Sequence, residues 1–330
     1  MNTSLVTGAS GFLGLALVRT LRAAGHPVRA LIRPTTSSAA RSALFNAGAA
    51  CYTAEITDSE ALADALVGVS HVFHLAGRLY IPGTPDHLYE RTHIGGTQAL
   101  IDACAQMPNL QRIVHCSTTG VVGPTGPLPA SETAPIRPST IYERTKAQAE
   151  QLALNAAAQG LPITVVRPAL VYGSGDLHLL GWFRTIQRGI YRVVGSGDSL
   201  LHPIYISDLI DGMCRAATAS TAVGRIYNLV GDHALPIRAL AAAIAEALGT
   251  RLPRMHIPLS AAIIGAQILE ALPGVPPARL PLTRSRIDFM TQSRVYNGER
   301  AQRELHFSPQ IPLTEGLRRT VAWYREEGLL

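Results

Sequence analysis

Short apolar, β-prone runs alternate with helical patterns through the first half of this chain. Thr3–Thr7 is an apolar extended run, and Leu13–Ala24 has the spacing of a helix with one buried face. Pro27–Arg33 predicts a second strand, closed by Pro34 and a Thr/Ser cluster. Ser38–Gly48 reads as helical, Ala50–Thr53 as extended, and Ser59–Val67 as a helix behind Asp58 or Ser59 as N-cap. Val69–Leu75 is a strongly apolar strand, followed by a long helical pattern over Asp86–Gln106 and a strand at Arg112–Ser117. A Gly- and Pro-rich loop, Gly120–Pro138, leads into a helix reaching Ala158 and the strand Pro162–Val166. Strands separated by helices in this order predict right-handed crossovers, an α/β fold and a doubly wound parallel sheet. Ligands of such sheets lie beyond the carboxyl ends of the strands.

The regularity is lost after Tyr172. Ser207–Ala219 (helix) and Arg225–Val230 (strand) return to the first pattern, whereas 173–202 and 231–330 are richer in Pro and Arg. The expected division is a domain over 1–172, rejoined by 203–230, whose first strand-to-helix turn holds Gly8, Gly11 and Gly14 and so suits a dinucleotide, and a smaller, mostly C-terminal substrate-binding lid domain made of 173–202 and 231–330. The apolar run Met255–Leu269 contains His256, Pro258 and Gly265 and is too short for a bilayer core of about 30 Å. No membrane span is expected; contact with a membrane surface stays open.

Composition narrows the class without choosing the chemistry. Hydrophobic residues make up 47% of the 330 residues and charged ones 16%, the balance of a globular chain with an ample core. A formal charge of +6 favours anionic ligands, yet few aromatics and no Lys/Arg block argue against a nucleic-acid platform. Cys51, Cys104, Cys116 and Cys214 form no C-x-x-C pair, which suits reduced thiols in a cytoplasmic protein. No metal site is expected.

Three places carry chemistry. Between the first strand and helix lies Thr-Gly-Ala-Ser-Gly-Phe-Leu-Gly, with Gly8, Gly11 and Gly14 in G-x-x-G-x-x-G spacing. Such a turn lets a backbone approach a pyrophosphate, and the helix amides behind it favour the anion. Tyr142 and Lys146 stand at i and i+4, on one helical face. A phenol with an ordinary pKa of about 10 is a poor proton carrier at neutral pH, and a neighbouring ammonium lowers it. Ser117-Thr118-Thr119 ends the strand before that helix and offers a hydroxyl to a substrate oxygen; a Ser/Thr turn at a strand end is the plainer alternative.

With these motifs in order, the chain resembles the extended short-chain dehydrogenase/reductase family of Rossmann-type enzymes, which includes nucleotide-sugar epimerases and dehydratases. The resemblance rests on T-G-A-S-G-F-L-G at 7–14, H-L-A-G at 74–77, I-G-G-T at 94–97 and V-H-C-S-T-T-G at 114–120. It continues with Y-E-R-T-K at 142–146, R-P-A-L-V-Y-G at 167–173, I-S-D-L at 206–209 and E-L-H-F-S-P at 304–309. The resemblance implies Tyr142 as catalytic acid/base, Lys146 as its ribose-binding partner and Thr118 as the hydroxyl that orients the reacting oxygen. It assigns Gly8, Ser10, Gly11, Phe12, Leu13 and Gly14 to the pyrophosphate turn, Glu55 and Ile56 to the adenine side, Leu75, Ala76 and Gly77 beneath the cofactor, and Pro168 to the nicotinamide. It also implies a homodimer through the Asp86–Gln106 and Tyr142–Ala158 helices.

Arg33 ends the second strand, where a reader of the ribose 2′-hydroxyl would be acidic, and no Asp or Glu lies between Val28 and Arg41. This favours NADP(H), with NAD(H) the other form open. His93 stands where the family usually has asparagine. Leu170 and Leu201 occupy positions where nucleotide-sugar enzymes usually carry phosphate-binding Asn and Arg; His202, Arg184, Arg188 and Arg192 are the residues available to compensate. Leu79, Tyr80, Val121, Tyr172, Leu179, Trp182 and Phe183 then suggest apolar pocket walls, and Pro258–Leu272 adds a likeness to 3β-hydroxysteroid dehydrogenases and dihydroflavonol reductases. The expectation is an NADP(H)-dependent oxidoreductase interconverting a secondary alcohol and a ketone or aldehyde on an apolar small molecule. The alternative is an NAD-dependent nucleotide-sugar epimerase or dehydratase.

Overall fold

A seven-stranded, fully parallel sheet forms the centre of the molecule. The computed structural model describes residues 3–253, 255–272, 275–276, 280 and 282–330. Residues 1 and 2 of the expected first domain, and 254, 273–274, 277–279 and 281 of the second, lie outside the described residues.

The first half runs β1 (Thr3–Thr7), α1 (Phe12–Ala23), β2 (Val28–Ile32), α2 (Ser38–Asn46), β3 (Ala50–Thr53), α3 (Ser59–Leu66) and β4 (Val69–His74). It continues with α4 (Asp86–Glu90), α5 (Gly96–Cys104), β5 (Arg112–Cys116), α6 (Ile141–Ala158) and β6 (Ile163–Pro168). From edge to edge the sheet reads Ile226–Leu229, β6, β5, β4, β1, β2, β3. Chain order reverses between β1 and β4, which opens a crevice at their carboxyl ends.

Both faces of the sheet are covered, which is why its strands are nearly continuous apolar runs. Val6, Phe73, Val114 and Val166 join one core with Leu17 and Val18 of α1, the helix Ile206–Thr218 and the C-terminal elements. Their neighbours Leu5, Val72, Ile113 and Val165 face the other side, against Leu62, Leu100 and Ala153. The alternation follows the two-residue period of a strand.

One predicted helix differs. Asp86–Gln106 is not uniformly α-helical, because Arg91–Gly95 between α4 and α5 is wound as a π-helix. This wider turn carries His93 into the interior, 1% exposed. Beyond β6 the chain makes three small two-stranded pairings: Leu170–Tyr172 with Pro203–Tyr205, Leu200–Leu201 with Leu235–Pro236, and Val193–Val194 with His256–Ile257. The helix Leu259–Glu270 buries Ala262 and Ala266 and leaves Ile264 and Ile268 exposed. Among the described residues, no helix is long and apolar enough to cross a membrane.

Candidate active site

The glycine turn closes over the β1/β4 crevice. Gly8 adopts φ +66°, and a Cβ there would lie 2.8 Å from Ala76 N and from the Leu75 carbonyl. A Cβ on Gly14 would overlap the Gly8 carbonyl oxygen and sit 2.6 Å from Ala9 Cα, so α1 packs directly on the turn. Gly11 caps α1 without a side-chain acceptor, and no acidic residue stands in its first turn. The leading amides and dipole of α1 thus face the crevice without a competing anion, which fits the pyrophosphate of a dinucleotide.

Polar side chains fasten the strand ends that line this crevice. The hydroxyl of Thr7 accepts from Ala76 N–H (3.1 Å) and shares a hydrogen bond with His74 Nδ1 (2.9 Å); His74 Nε2 meets Thr97 Oγ1 at 3.0 Å. Leu75, Ala76 and Gly77 follow directly, and Glu55 and Ile56 follow the end of β3. Burial, with the Lys146 charge second, pushes His74 down to about 3.

His93 joins two parts of the site. Arg78 N–H donates to its Nε2 at 3.0 Å, so its proton is on Nδ1, which donates to Thr145 Oγ1 at 2.8 Å. Thr145 passes a hydrogen bond on to the Ile141 carbonyl (2.9 Å). Burial, then the Lys146 charge, lowers His93 to about 3, so the ring is neutral. It stands edge-on to the Tyr142 ring with centroids 5.6 Å apart. In place of the family's asparagine, the imidazole ties the loop after β4 to the helix that bears Tyr142.

The three candidate hydroxyls after β5 separate cleanly. Thr119 Oγ1 donates to the Pro168 carbonyl at 3.2 Å, tying the end of β5 to that of β6. Ser117 Oγ is buried with no hydrogen-bond partner. Thr118 is only partly buried, accepts from Gly120 N–H at 3.1 Å and hydrogen-bonds the Tyr142 side chain. Of the three, Thr118 is the one brought to the phenol. Lys146 Nζ donates to the Cys116 carbonyl at 2.5 Å and is 7% exposed. Burial moves the Tyr142 phenol above its ordinary range, with Cys116 and Glu143 adding to the rise and the Thr118 hydrogen bond opposing it. In the protein alone the phenol is therefore protonated, and Lys146, itself lowered by burial, faces a carbonyl.

A frame of buried charges, not singled out in the sequence, holds α6. Arg167, 1% exposed at the end of β6, makes a bidentate pair with Glu150, one turn beyond Lys146 (Nε–Oε2 3.0 Å, Nη2–Oε1 2.5 Å). At the other end, Thr140 and Glu143 form a reciprocal capping box, and Arg294 Nη1 donates to Glu143 Oε1 at 3.1 Å. The spacing Thr140-x-x-Glu143 is a signal that sequence reading can catch; the partners Arg167–Glu150 and Arg294–Glu143 are distant and leave no local trace.

Residues 4–230 match the NAD dependent epimerase/dehydratase family. The chain belongs to that family. It is 31% identical over 320 residues to a 4-hydroxy-2-methyl-3-oxo-4-farnesyl-3,4-dihydroquinoline-1-oxide ketoreductase of Stigmatella aurantiaca, covering 95% of this chain and 94% of the relative. Among solved structures it resembles MoeE5 in complex with UDP-glucuronic acid and NAD (27% identity, TM-score 0.76, 99% and 100% of the two chains). It also shares its fold with the UDP-glucuronic acid 4-epimerase of Bacillus cereus in complex with UDP-glucuronic acid and NAD (22% identity, TM-score 0.78, 98% and 99% covered). This epimerase/dehydratase-family protein is thus a redox enzyme with a parallel Rossmann-type sheet, linked to NAD(P) and acting on a small molecule.

Two expectations fall. The NADP(H) preference drawn from Arg33 is not supported: MoeE5, at 27% identity, is a complex with NAD, as are further solved structures that share the fold. Arg33 is an exposed residue at the end of β2, and the nearby Arg41 guanidinium is spent on the Thr36, Arg33 and Pro34 carbonyls and Thr53 Oγ1. The apolar alcohol or ketone falls as well, since solved neighbours are complexes with nucleotide sugars. Most of its supposed walls are core: Val121, Tyr172, Leu179 and Phe183 are buried, whereas Leu79 is exposed. The cavity among Leu170, Tyr172, Leu179, Trp182 and Phe183 measures about 10 Å³, with no room for a substrate. Of the proposed substitutes for a phosphate clamp, Arg184 donates to the Leu329 carbonyl and Arg192 to those of Gly189 and Tyr191.

Proposed function

We propose that this protein moves hydride reversibly between NAD and a secondary-alcohol carbon of a nucleotide-sugar-type substrate, keeping its NAD through the cycle, as an epimerase does. The observation that carries the reading is the meeting of Thr118 and Tyr142 beside Lys146, at the strand ends next to a glycine turn fitted to pyrophosphate. Bound NAD would supply the hydride acceptor. Once the positive charges of Lys146 and bound NAD ionise it, Tyr142 as phenolate would take the alcohol proton while the carbon is oxidised and, as phenol, return it on reduction; Thr118 would hold the substrate oxygen. Residues 173–202 and 231–330 would close over the substrate.

Epimerisation is favoured over loss of water because elimination needs a further acid–base pair. The carboxylate next to Tyr142, that of Glu143, is occupied by Ser139, Thr140 and Arg294. One observation favours a second reading, a net NADH-linked reductase. The whole-chain relative at 31% identity is a ketoreductase, and Leu170 and Leu201 offer no polar group to a diphosphate.

The test is the fate of the nucleotide. The proposal expects NAD to stay with the purified protein and turnover without net NADH change; consumption matched to product favours the reductase. Tyr142→Phe should keep bound NAD and lose about 10²–10⁴-fold in kcat in either case. A fully active Tyr142→Phe enzyme would remove the common mechanism.

A further inference from the structure

The segment Ser293–Asn297 crosses the molecule as a strap. Ser293 O accepts from Thr125 N–H (2.9 Å), Arg294 N–H donates to Leu200 O (2.7 Å), and Val295 O accepts from Ala130 N–H (3.0 Å). Asn297 N–H donates to Ala130 O at 2.9 Å, and Asn228 Nδ2, at the end of the sheet's edge strand, donates to Asn297 O at 3.1 Å. The strap is thereby fixed to the loop after β5, to the small strand Leu200–Leu201 and to the sheet.

Two of its side chains meet the neighbours of both reacting groups. Tyr296, 4% exposed, hydrogen-bonds Thr119, the residue after Thr118, and also Arg294. Arg294 holds Glu143, the residue after Tyr142. The Glu143 carboxylate divides its work between its two oxygens. Oε2 accepts from Ser139 N–H (2.7 Å), Ser139 Oγ (2.6 Å) and Thr140 N–H (3.1 Å), which is enough to cap α6. Oε1 is left for Arg294 alone, and it lies 3.2 Å from where a Gly120 Cβ would be, with Thr118 Oγ1 3.4 Å from the same point. Arg294 thus grips the first turn of α6 on the side facing the Thr118 loop.

We infer that Arg294 is a positioning residue for Tyr142: the strap, docked through Glu143, sets the phenol against Thr118. The inference rests on the reading of Tyr142 as proton carrier. The cap survives without Arg294, so the helix still forms, but the relative placement of the two reacting side chains is released. Misplacement on the scale of 1 Å is worth about 10² in rate.

The test uses the full-length enzyme with its NAD. Arg294→Met should lower kcat about 10–100-fold, with KM and NAD affinity within about twofold. Arg294→Lys, which keeps a charged donor, should recover most of the loss, and Glu143→Gln should reproduce part of it. The double variant should be no worse than Arg294→Met, the sign of one shared interaction. Wild-type kcat in Arg294→Met overturns the inference, as does a Lys variant no better than Met, or a loss of NAD affinity equal to the loss of kcat. If Arg294→Met fails to fold, Arg294→Lys and Glu143→Gln decide: unchanged kcat in Glu143→Gln overturns it. Tyr142→Phe measured alongside separates the two ideas. Activity retained there defeats the catalytic reading, whereas an inactive Tyr142→Phe beside a fully active Arg294→Met defeats the strap alone.

Discussion

The carboxyl edge of the sheet and the C-terminal region build their parts from different materials. At the sheet edge, polar and charged groups are buried and, Ser117 Oγ and His115 Nε2 apart, largely committed: Thr7, His74 and Thr97 to one another, His93 to Arg78 and Thr145, Arg167 to Glu150. In the C-terminal region, apolar residues fill the interior, and the helix Leu259–Glu270 shows Ile264 and Ile268 to solvent. A buried hydrogen bond or ion pair has one good geometry, whereas apolar contact tolerates many. The first kind of region suits side chains that need one fixed placement, as the proposed function requires of Thr118 and Tyr142, and the second accepts change.

The sharpest way to break this contrast is to remove one half of a buried pair. Arg167→Met leaves Glu150 charged and enclosed beside Lys146 and should cost about 3–5 kcal/mol in urea unfolding, with much of it regained in Arg167→Met/Glu150→Leu. A cost near zero would mean that the sheet edge is as forgiving as the rest.

Acid should strain the same edge. Burial holds His74 and His93 down at about 3 in the fold, and His115 is lowered in the same direction by burial. Between about 6.5 and 3 the unfolded chain therefore binds protons that the native state refuses. Their contribution is intact above the unfolded value and falls with pH, by about 1.4 kcal/mol per pH unit for each histidine. Unfolding midpoints at pH 7, 6 and 5 should show the loss. His93→Asn, which keeps an acceptor for Arg78 and a donor for Thr145, should reduce the slope by one proton. The smallest effect belongs to the other region: Ile264→Ser should shift stability by less than about 0.5 kcal/mol in the same assay.

What could be read in the sequence follows the same division. Gly8 and Gly14 are legible because backbone conformation and contact leave no room for a Cβ, and that demand is local. Tyr142 and Lys146 are legible because helical spacing places them on one face. Thr118 could not be told from Ser117 and Thr119 until the structure brought it to the phenol. Arg294 is 151 positions from Glu143, and no local pattern records such a pairing. The preference for NADP(H) failed because a lone arginine at a strand end is equally an ordinary solvated residue. The apolar pocket failed because core and pocket walls draw on the same residue types, and only packing distinguishes them.

The strap also bears on the order in which the chain matures. Synthesis delivers the glycine turn first, Thr118, Tyr142 and Lys146 next, and the edge strand Ile226–Leu229 well before residue 294. Chains fold domain by domain from the N-terminus, and distant contacts form late. A nascent chain can therefore present a finished glycine turn while the helix bearing Tyr142 still lacks the Arg294–Glu143 contact. Under the proposed function, the capacity to hold a nucleotide would be acquired earlier than the capacity to use it.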